Sequence, residues 1–384
     1  MKSDSQIGII GYGATTYEKK TSRTLFSFLS EAGREALNCA GLSFADVDGL
    51  AISSFELPPD NTVTTAEQFG MSISWAYLGT AGSAGPVASV INAVHAIESG
   101  QATTVLCIAG DNYDVGGHFK LMDNFSRGLR NYGTPLGFGG ANGLFAIIQR
   151  KHMETYGTRI EELGRISVGQ RKSAAHNERA LLRGPMTIDD YINSRMIADP
   201  IRLYDCVLPC AGAEAVVVTT LDRARPGKGV RVVTGYERHN HPPMEIAPLR
   251  GGWELFADRL YADAGYGPDD MDFVQLYDDY PIMVAIQLED LGFCAKGEGG
   301  RFVADGGLIS GVGRLPVNTD GGGLCNNHPA NRGGMTKVIE AVRQLRGEAH
   351  PAVQVANCDL ALANATGGWL GTRHAASTVI LERL

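Results

Sequence analysis

Ala40-Gly41-Leu42-Ser43-Phe44-Ala45-Asp46-Val47-Asp48-Gly49-Leu50 is answered 224 residues later by Ala264-Gly265-Tyr266-Gly267-Pro268-Asp269-Asp270-Met271-Asp272-Phe273-Val274. In each stretch a glycine closes an amphipathic run, an acidic turn follows, and an aspartate leads into a short apolar run. A helix stopped by glycine and then a buried strand is the reading for both. Before the first copy, Leu25, Phe28, Leu29, Ala32, Ala36, Leu37 and Ala40 fall at helical spacing. Before the second, residues 253–264 form the matching helix, and 272–276 the strand after it.

The match extends outward from these stretches. Residues 87–98 are small or apolar on every side and end at Ser99-Gly100, which reads as a central helix. Residues 335–345, closed by Arg346-Gly347, are its counterpart. Strands are expected at 7–11, 47–52, 103–109, 353–356 and 377–381. The chain therefore reads as an internal duplication of an α/β unit, with halves at 1–225 and 226–384. Residues from about 112 to 205 interrupt the first half as an inserted loop domain. That segment carries a helix at 145–156 and a basic stretch, Arg165, Arg171, Lys172, Arg179 and Arg183. The basic stretch reads as a solvated face or as a contact for the phosphates of a nucleotide-like ligand.

Composition bounds the function. The 384 residues are 44% hydrophobic and 20% charged, ordinary for a globular protein with a large core. A net charge of −8 argues against a general nucleic-acid binder. No run of apolar residues is long enough to span a membrane, and the first residues lack a signal peptide's apolar stretch. Seven scattered cysteines read as reduced thiols of a cytoplasmic protein. Cys206 and Cys210 have a spacing that some zinc sites use, but no second pair or histidine tract completes one, so no metal is expected in this chain.

Asn326-Asn327-His328-Pro329 lies between Asp320-Gly321-Gly322-Gly323 and Gly333-Gly334, ahead of a helix. A histidine placed there can donate a hydrogen bond to a developing oxyanion. The duplication sets the helix after Ser83 opposite the helix after His328, so that both N-termini face one shared pocket. Ser83 also has a plainer reading as an N-cap ahead of Pro86. Tyr277 and Tyr280 follow the strand at 272–276 and are either proton-handling phenols or half-buried aromatics. Asp278 and Asp279 are adjacent, so on an extended chain they point to opposite faces and form no carboxylate pair.

Over essentially its whole length the chain resembles the thiolase superfamily, in the sterol-carrier-protein-type, thiolase-like aldolase branch. The resemblance is strongest at 40–50, 97–111, 191–219, 275–281, 321–334 and 367–381. The run Leu182-Arg183-Gly184-Pro185-Met186-Thr187-Ile188-Asp189-Asp190-Tyr191 resembles the family's loop domain. It implies a thiolase-like five-layered αβαβα fold made of two pseudo-symmetric halves, a homodimer, and acyl-CoA thioester substrates. In such proteins a nucleophilic cysteine stands at the position of Ser83, and a second cysteine at that of Ala365 or Thr366. The histidine of the family's Gly-His-Pro motif matches His328, with Asn327 in place of the glycine. Tyr277-Asp278-Asp279-Tyr280 replaces the family's Asn-Glu-Ala-Phe or His-Asp-Cys-Phe segment. His374, after the Gly367-Gly368 turn that borders the active site in thiolases, is a candidate base. His118 falls in the loop domain, where related enzymes shape the acyl pocket.

With both cysteines absent, the residues argue against thiolysis. Relatives without the cysteine resemble retro-aldolases that cleave a β-hydroxyacyl-CoA together with a small zinc-ribbon/OB-fold companion subunit. The expected catalytic residues are thus His328, Tyr277, His374 and Ser83. Coenzyme A enters only as part of the substrate, and zinc only in the companion. The alternatives are a condensing acyltransferase that acylates Ser83 and a non-catalytic acyl-CoA-binding subunit.

Overall fold

Gly41, at φ 78°, and Gly265, at φ 75°, end the first helix of each half in the left-handed region. That conformation strains any residue with a Cβ, which is why the repeat keeps glycine at both positions. The structure is a computed structural model that describes residues 6–112, 116–117, 120–121, 126–137, 140–243, 245, 247–304, 306–309, 312–327, 332–369 and 372–384. The first half runs β1 (Ile7–Ala14), α1 (Leu25–Ala40), β2 (Gly49–Ser53), α2 (Thr62–Phe69), β3 (Trp75–Gly79), α3 (Ala84–Glu98) and β4 (Thr104–Asp111). Next come α4 (Ala141–Tyr156), α5 (Ile160–Ala174), α6 (Ile188–Ile192), β5 (Met196–Ala198) and β6 (Ile201–Arg202), and β7 (Gly212–Thr220) closes the half. The second half runs β8 (Val230–His239), α7 (Ala257–Ala264), β9 (Phe273–Gln275), α8 (Pro281–Asp290), α9 (Gly299–Val303), α10 (Gly322–Cys325), α11 (Gly333–Leu345), β10 (Leu360–Trp369) and β11 (Thr372–Arg383).

The strand order is β3-β2-β4-β7-β1-β8-β11-β10-β9. β2 is parallel to β3 and β4, and β7 is antiparallel to β4 and β1. The second half mirrors this: β9 is parallel to β10, and β11 is antiparallel to β10 and β8. An isolated parallel bridge between Val274 and Val317 takes the place that β3 has in the first half. β1 and β8 share only Gly8–Arg231 and Ile9–Val230, so the sheet turns there.

Strand alternation sorts the core into layers. Leu50, Ile52, Leu106, Ile108 and Val217 pack with α1. Their neighbours Ala51, Val105, Cys107, Val216 and Val218 pack with α3 and α11. From the other half, Phe273, Ala361, Ala363, Val379 and Leu381 join that same central cluster. Val274, Leu362 and Ile380 turn outward to Trp253, Leu260, Met283 and Ile286. The result is helix, sheet, helix pair, sheet, helix: the five-layered αβαβα arrangement expected from the sequence. α3 is apolar on every side because both half-sheets cover it. No helix among the described residues is long and apolar enough to cross a membrane.

Two local expectations give way. Residues 353–356 form no strand. Gln344 satisfies their backbone instead: its Nε2–H donates to the Val353 carbonyl at 3.1 Å, and its Oε1 accepts from Val355 N–H at 2.9 Å. The strand of that region is β10, whose small-residue run Leu360-Ala361-Leu362-Ala363-Asn364-Ala365 carries little apolar bulk. The helix expected over 253–264 begins only at Ala257, after a 3₁₀ turn (Gly252–Leu255).

A Cβ on Gly334 would overlap the Ser83 carbonyl oxygen, where backbone cannot yield. Gly334→Ala should therefore cost about 2 kcal/mol or more in a denaturant melt. Gly184→Ala, with nothing within 4 Å of its Cβ, is the control and should stay within about 0.5 kcal/mol of the parent.

Candidate active site

Two helix N-termini meet at the centre of the molecule. Ser83 is the N-cap residue of α3, and Gly333-Gly334 open α11. A Cβ on Gly333 would lie 2.7 Å from Tyr277 Cε2 and 3.2 Å from Ser83 Oγ. Behind them, a Cβ on Gly82 would lie 2.8 Å from Gly367 Cα, and one on Gly367 would overlap the Ala81 carbonyl. The juxtaposition expected from the duplication thus rests on glycines packed backbone to backbone. Each helix end carries about half a positive charge, so an anion formed between them is stabilised from two sides.

Ser83 does not use its side chain as a cap. Its hydroxyl instead donates to the Tyr277 phenol oxygen at 2.9 Å, and both residues are buried. Burial, together with the charges of Asp279 and Asp278, raises the Tyr277 pKa well above its ordinary value. The phenol therefore keeps its proton at neutral pH. It is a donor and a poor base for activating Ser83. Ala365, one of the two positions that the resemblance matches to the family's second cysteine, packs its methyl 3.1 Å from the Cβ position of Gly334. Thr366 turns its hydroxyl to the Ala375 carbonyl at 3.0 Å. No acid or thiol stands at either position.

Tyr277 is held from beneath by buried amides. Its N–H donates to Gln287 Oε1 at 3.0 Å, and Gln287 Nε2–H donates to its carbonyl at 2.6 Å. Asn364 donates to Gln287 Oε1 at 2.6 Å and accepts from Trp253 Nε1–H at 2.8 Å. Sequence reading missed this chain, since isolated amides inside apolar runs carry no spacing signal.

The adjacent carboxyls differ sharply, and as expected they do not pair. Asp278 is fully buried and takes Lys337 Nζ at 2.6 Å, Gly323 N–H at 2.8 Å and Leu324 N–H at 3.1 Å. Asp279 accepts from the Tyr280 N–H at 3.1 Å. Burial and then the Asp278 charge push its carboxyl well above the ordinary range. Lys337 was also missed in the sequence. Its signal was a lone lysine among Met335, Val338, Ile339, Ala341 and Val342 of a core helix. Cys325, on α10, is buried against Arg171 Nε at 3.3 Å, and burial pushes its thiol up to about 11, so it is no nucleophile. His328 and His118 lie outside the described residues.

His374 is not brought to Ser83. Ala365 faces α11, and Ala363, Val379 and Leu381 line the same central face. His374 lies in the alternate set with Ala376, which packs in the outer cluster. Its ring sits edge-on to Trp253, centroids 5.2 Å apart. Among the described residues neither ring nitrogen has a hydrogen bond of good geometry. The structure thus places His374 as a buried packing group against Trp253, on the outer face of β11.

Burial lowers the His374 pKa from 6.5 to about 3, so the unfolded chain takes up the proton first. The stability contributed by this group is complete above pH 6.5 and is lost as pH falls from 6.5 towards 3. The loss is on the order of a few kcal/mol. His374→Phe should flatten the decline of the thermal midpoint across that window. A decline parallel to the parent's would refute the assignment.

Comparison with known proteins agrees with this geometry. The model of the thiolase C-terminal domain-like family matches residues 237–383. The 17-hydroxy-3-oxo-4-pregnene-20-carboxyl-CoA lyase of Mycobacterium tuberculosis is 36% identical over 365 residues, 89% of this chain and 92% of that protein. The steroid side-chain-cleaving aldolase of Thermomonospora curvata is 34% identical, over 88% and 90% of the two chains. Among solved structures, the Ltp2-ChsH2(DUF35) aldolase superposes with a TM-score of 0.86 at 32% identity, covering 98% of this chain and 97% of that one. With serine at position 83, between two helix N-termini, and no thiol at Ala365 or Thr366, this chain differs from a thiolase, and it belongs to the thiolase superfamily, in the branch of thiolase-like aldolases that act as lyases on CoA thioesters.

Proposed function

We propose that the site at the N-termini of α3 and α11 cleaves the Cα–Cβ bond of a β-hydroxyacyl-CoA by a retro-aldol reaction. The observation that carries this reading is the Ser83–Tyr277 pair, a hydroxyl bonded to a protonated phenol where thiolysis needs an ionisable thiol. Retro-aldol cleavage needs no nucleophile. The β-hydroxyl gives up its proton, the Cα–Cβ electrons pass into the thioester as an enolate, and the enolate is protonated at Cα. The products are a ketone or aldehyde and a shortened acyl-CoA.

The helix ends and the Tyr277 phenol suit the developing enolate oxygen, which is where donors fixed in advance lower the barrier. His328 is assigned the same task at the thioester carbonyl by its place in the motif. Ser83 supports the phenol and is not acylated. The reading includes a homodimer, a cytoplasmic location and a small zinc-ribbon/OB-fold companion, so that zinc belongs to the companion and coenzyme A to the substrate. The relatives named as aldolases, one of them a two-component assembly, support it.

The test is product analysis with a β-hydroxyacyl-CoA, with and without the companion subunit. His328→Ala and Tyr277→Phe should each lower the cleavage rate about 100-fold. Ser83→Ala should stay within about tenfold of the parent, and mass spectrometry under turnover should show no adduct on Ser83. An acyl-Ser83 species would establish the acyltransferase route instead. Unchanged rates in both the histidine and the tyrosine variants would overturn the assignment.

A further inference from the structure

Asp278 touches three parts of the molecule that the site must keep in register. It directly follows Tyr277. Through Lys337 it is tied to α11, one turn beyond the Gly333-Gly334 end that meets Ser83. Through Gly323 and Leu324 it satisfies the first N–H groups of α10. The Gly322 backbone comes so close that a Cβ would overlap Asp278 Oδ2, which φ 61° at that glycine permits. The ion pair is dry, with side-chain exposures of 1% and 0%.

A buried pair of this kind adds little net stability, because desolvating both charges offsets their attraction. Apolar side chains of similar volume would hold the fold as well. What they would not supply is direction: three donors and two carboxylate oxygens that meet in one geometry only. Resting on the aldolase reading, we propose that Asp278 and Lys337 are positioning residues whose ion pair sets the Tyr277 hydroxyl against Ser83 and the N-terminus of α11. They act through Tyr277 and do not touch the substrate.

The test uses the full chain, with its companion where that is needed for activity, and 3-fluorotyrosine placed at position 277. Asp278→Asn and Lys337→Met are combined, because either alone strands a buried charge. In the double variant the fluorine resonance should shift or split. At the same time kcat for β-hydroxyacyl-CoA cleavage should fall about 100-fold, with KM within about threefold. Lys337→Arg, which keeps the charge but not the geometry, is read beside it and should displace the resonance in the same sense. An unmoved resonance in both variants overturns the proposal, and so does a displaced resonance with unchanged kcat. If the double variant does not fold, Lys337→Arg decides alone by the same criteria. Should the parent cleave no β-hydroxyacyl-CoA, the aldolase reading fails, while the resonance still decides whether the pair positions Tyr277.

Discussion

Everything at the centre of this protein depends on two helix N-termini approaching until their backbones touch. Ser83 and Gly334 meet with no room for a Cβ, and Gly82 and Gly367 do the same one layer behind. Such contact requires glycine, and it requires two half-sheets that bring equivalent helices to one axis. The duplication supplies the second condition. β1 and β8 are joined by only two residue pairs, so each half-sheet covers its own side of α3 and α11. The positive ends of both helices then point at the same small volume, and water has little access to weaken their effect.

Around that volume three consecutive residues have sharply different surroundings. Tyr277 is kept neutral by burial and by two nearby carboxyls. Asp278 pairs with Lys337 and accepts from two backbone N–H groups. Asp279, one residue on, accepts from the Tyr280 N–H, and burial pushes it towards its neutral form. Three consecutive residues thus present a phenol and an acid both shifted upward by burial, with an ion-paired carboxyl between them. Neighbouring titratable groups with such divergent surroundings are a common mark of an active site.

Much of the fold was legible because its determinants are periodic. The glycine-stopped helices at Gly41 and Gly265, the apolar α3 and the order of α and β runs follow from spacing alone. β10 was not legible: its alanines and Asn364 give no β-branched pattern, since the strand is buried on both faces against close-packed helices. The apolar alternation at 353–356 misled because side-chain amides, which have no period, took over its backbone hydrogen bonds. At the site, Ser83 was found through the duplicated frame and Tyr277 through its place after a strand and the family resemblance, and the structure joins them by a hydrogen bond. His374 was near the right turn in sequence, but one step along a strand reverses the face, and proximity in the chain could not decide which face it took.

The exchange of a thiol for Ser83 is coherent only together with Tyr277. A serine at a helix N-terminus still needs a base before it can attack, and a phenol whose pKa is driven upward is the wrong partner for that. The same phenol suits a reaction in which charge develops on a substrate oxygen and no protein atom becomes covalently bound. Neither Ala365 nor Thr366 supplies a second acid, and Ala365 leaves only a methyl group facing α11. The helix dipoles, which in this fold serve an acyl-enzyme and an enolate alike, then have one anion left to stabilise. Covalent chemistry is lost at the side chains, while the electrostatic frame, built from backbone, is unaffected by those substitutions. An enolate-forming lyase is what such a frame can still catalyse.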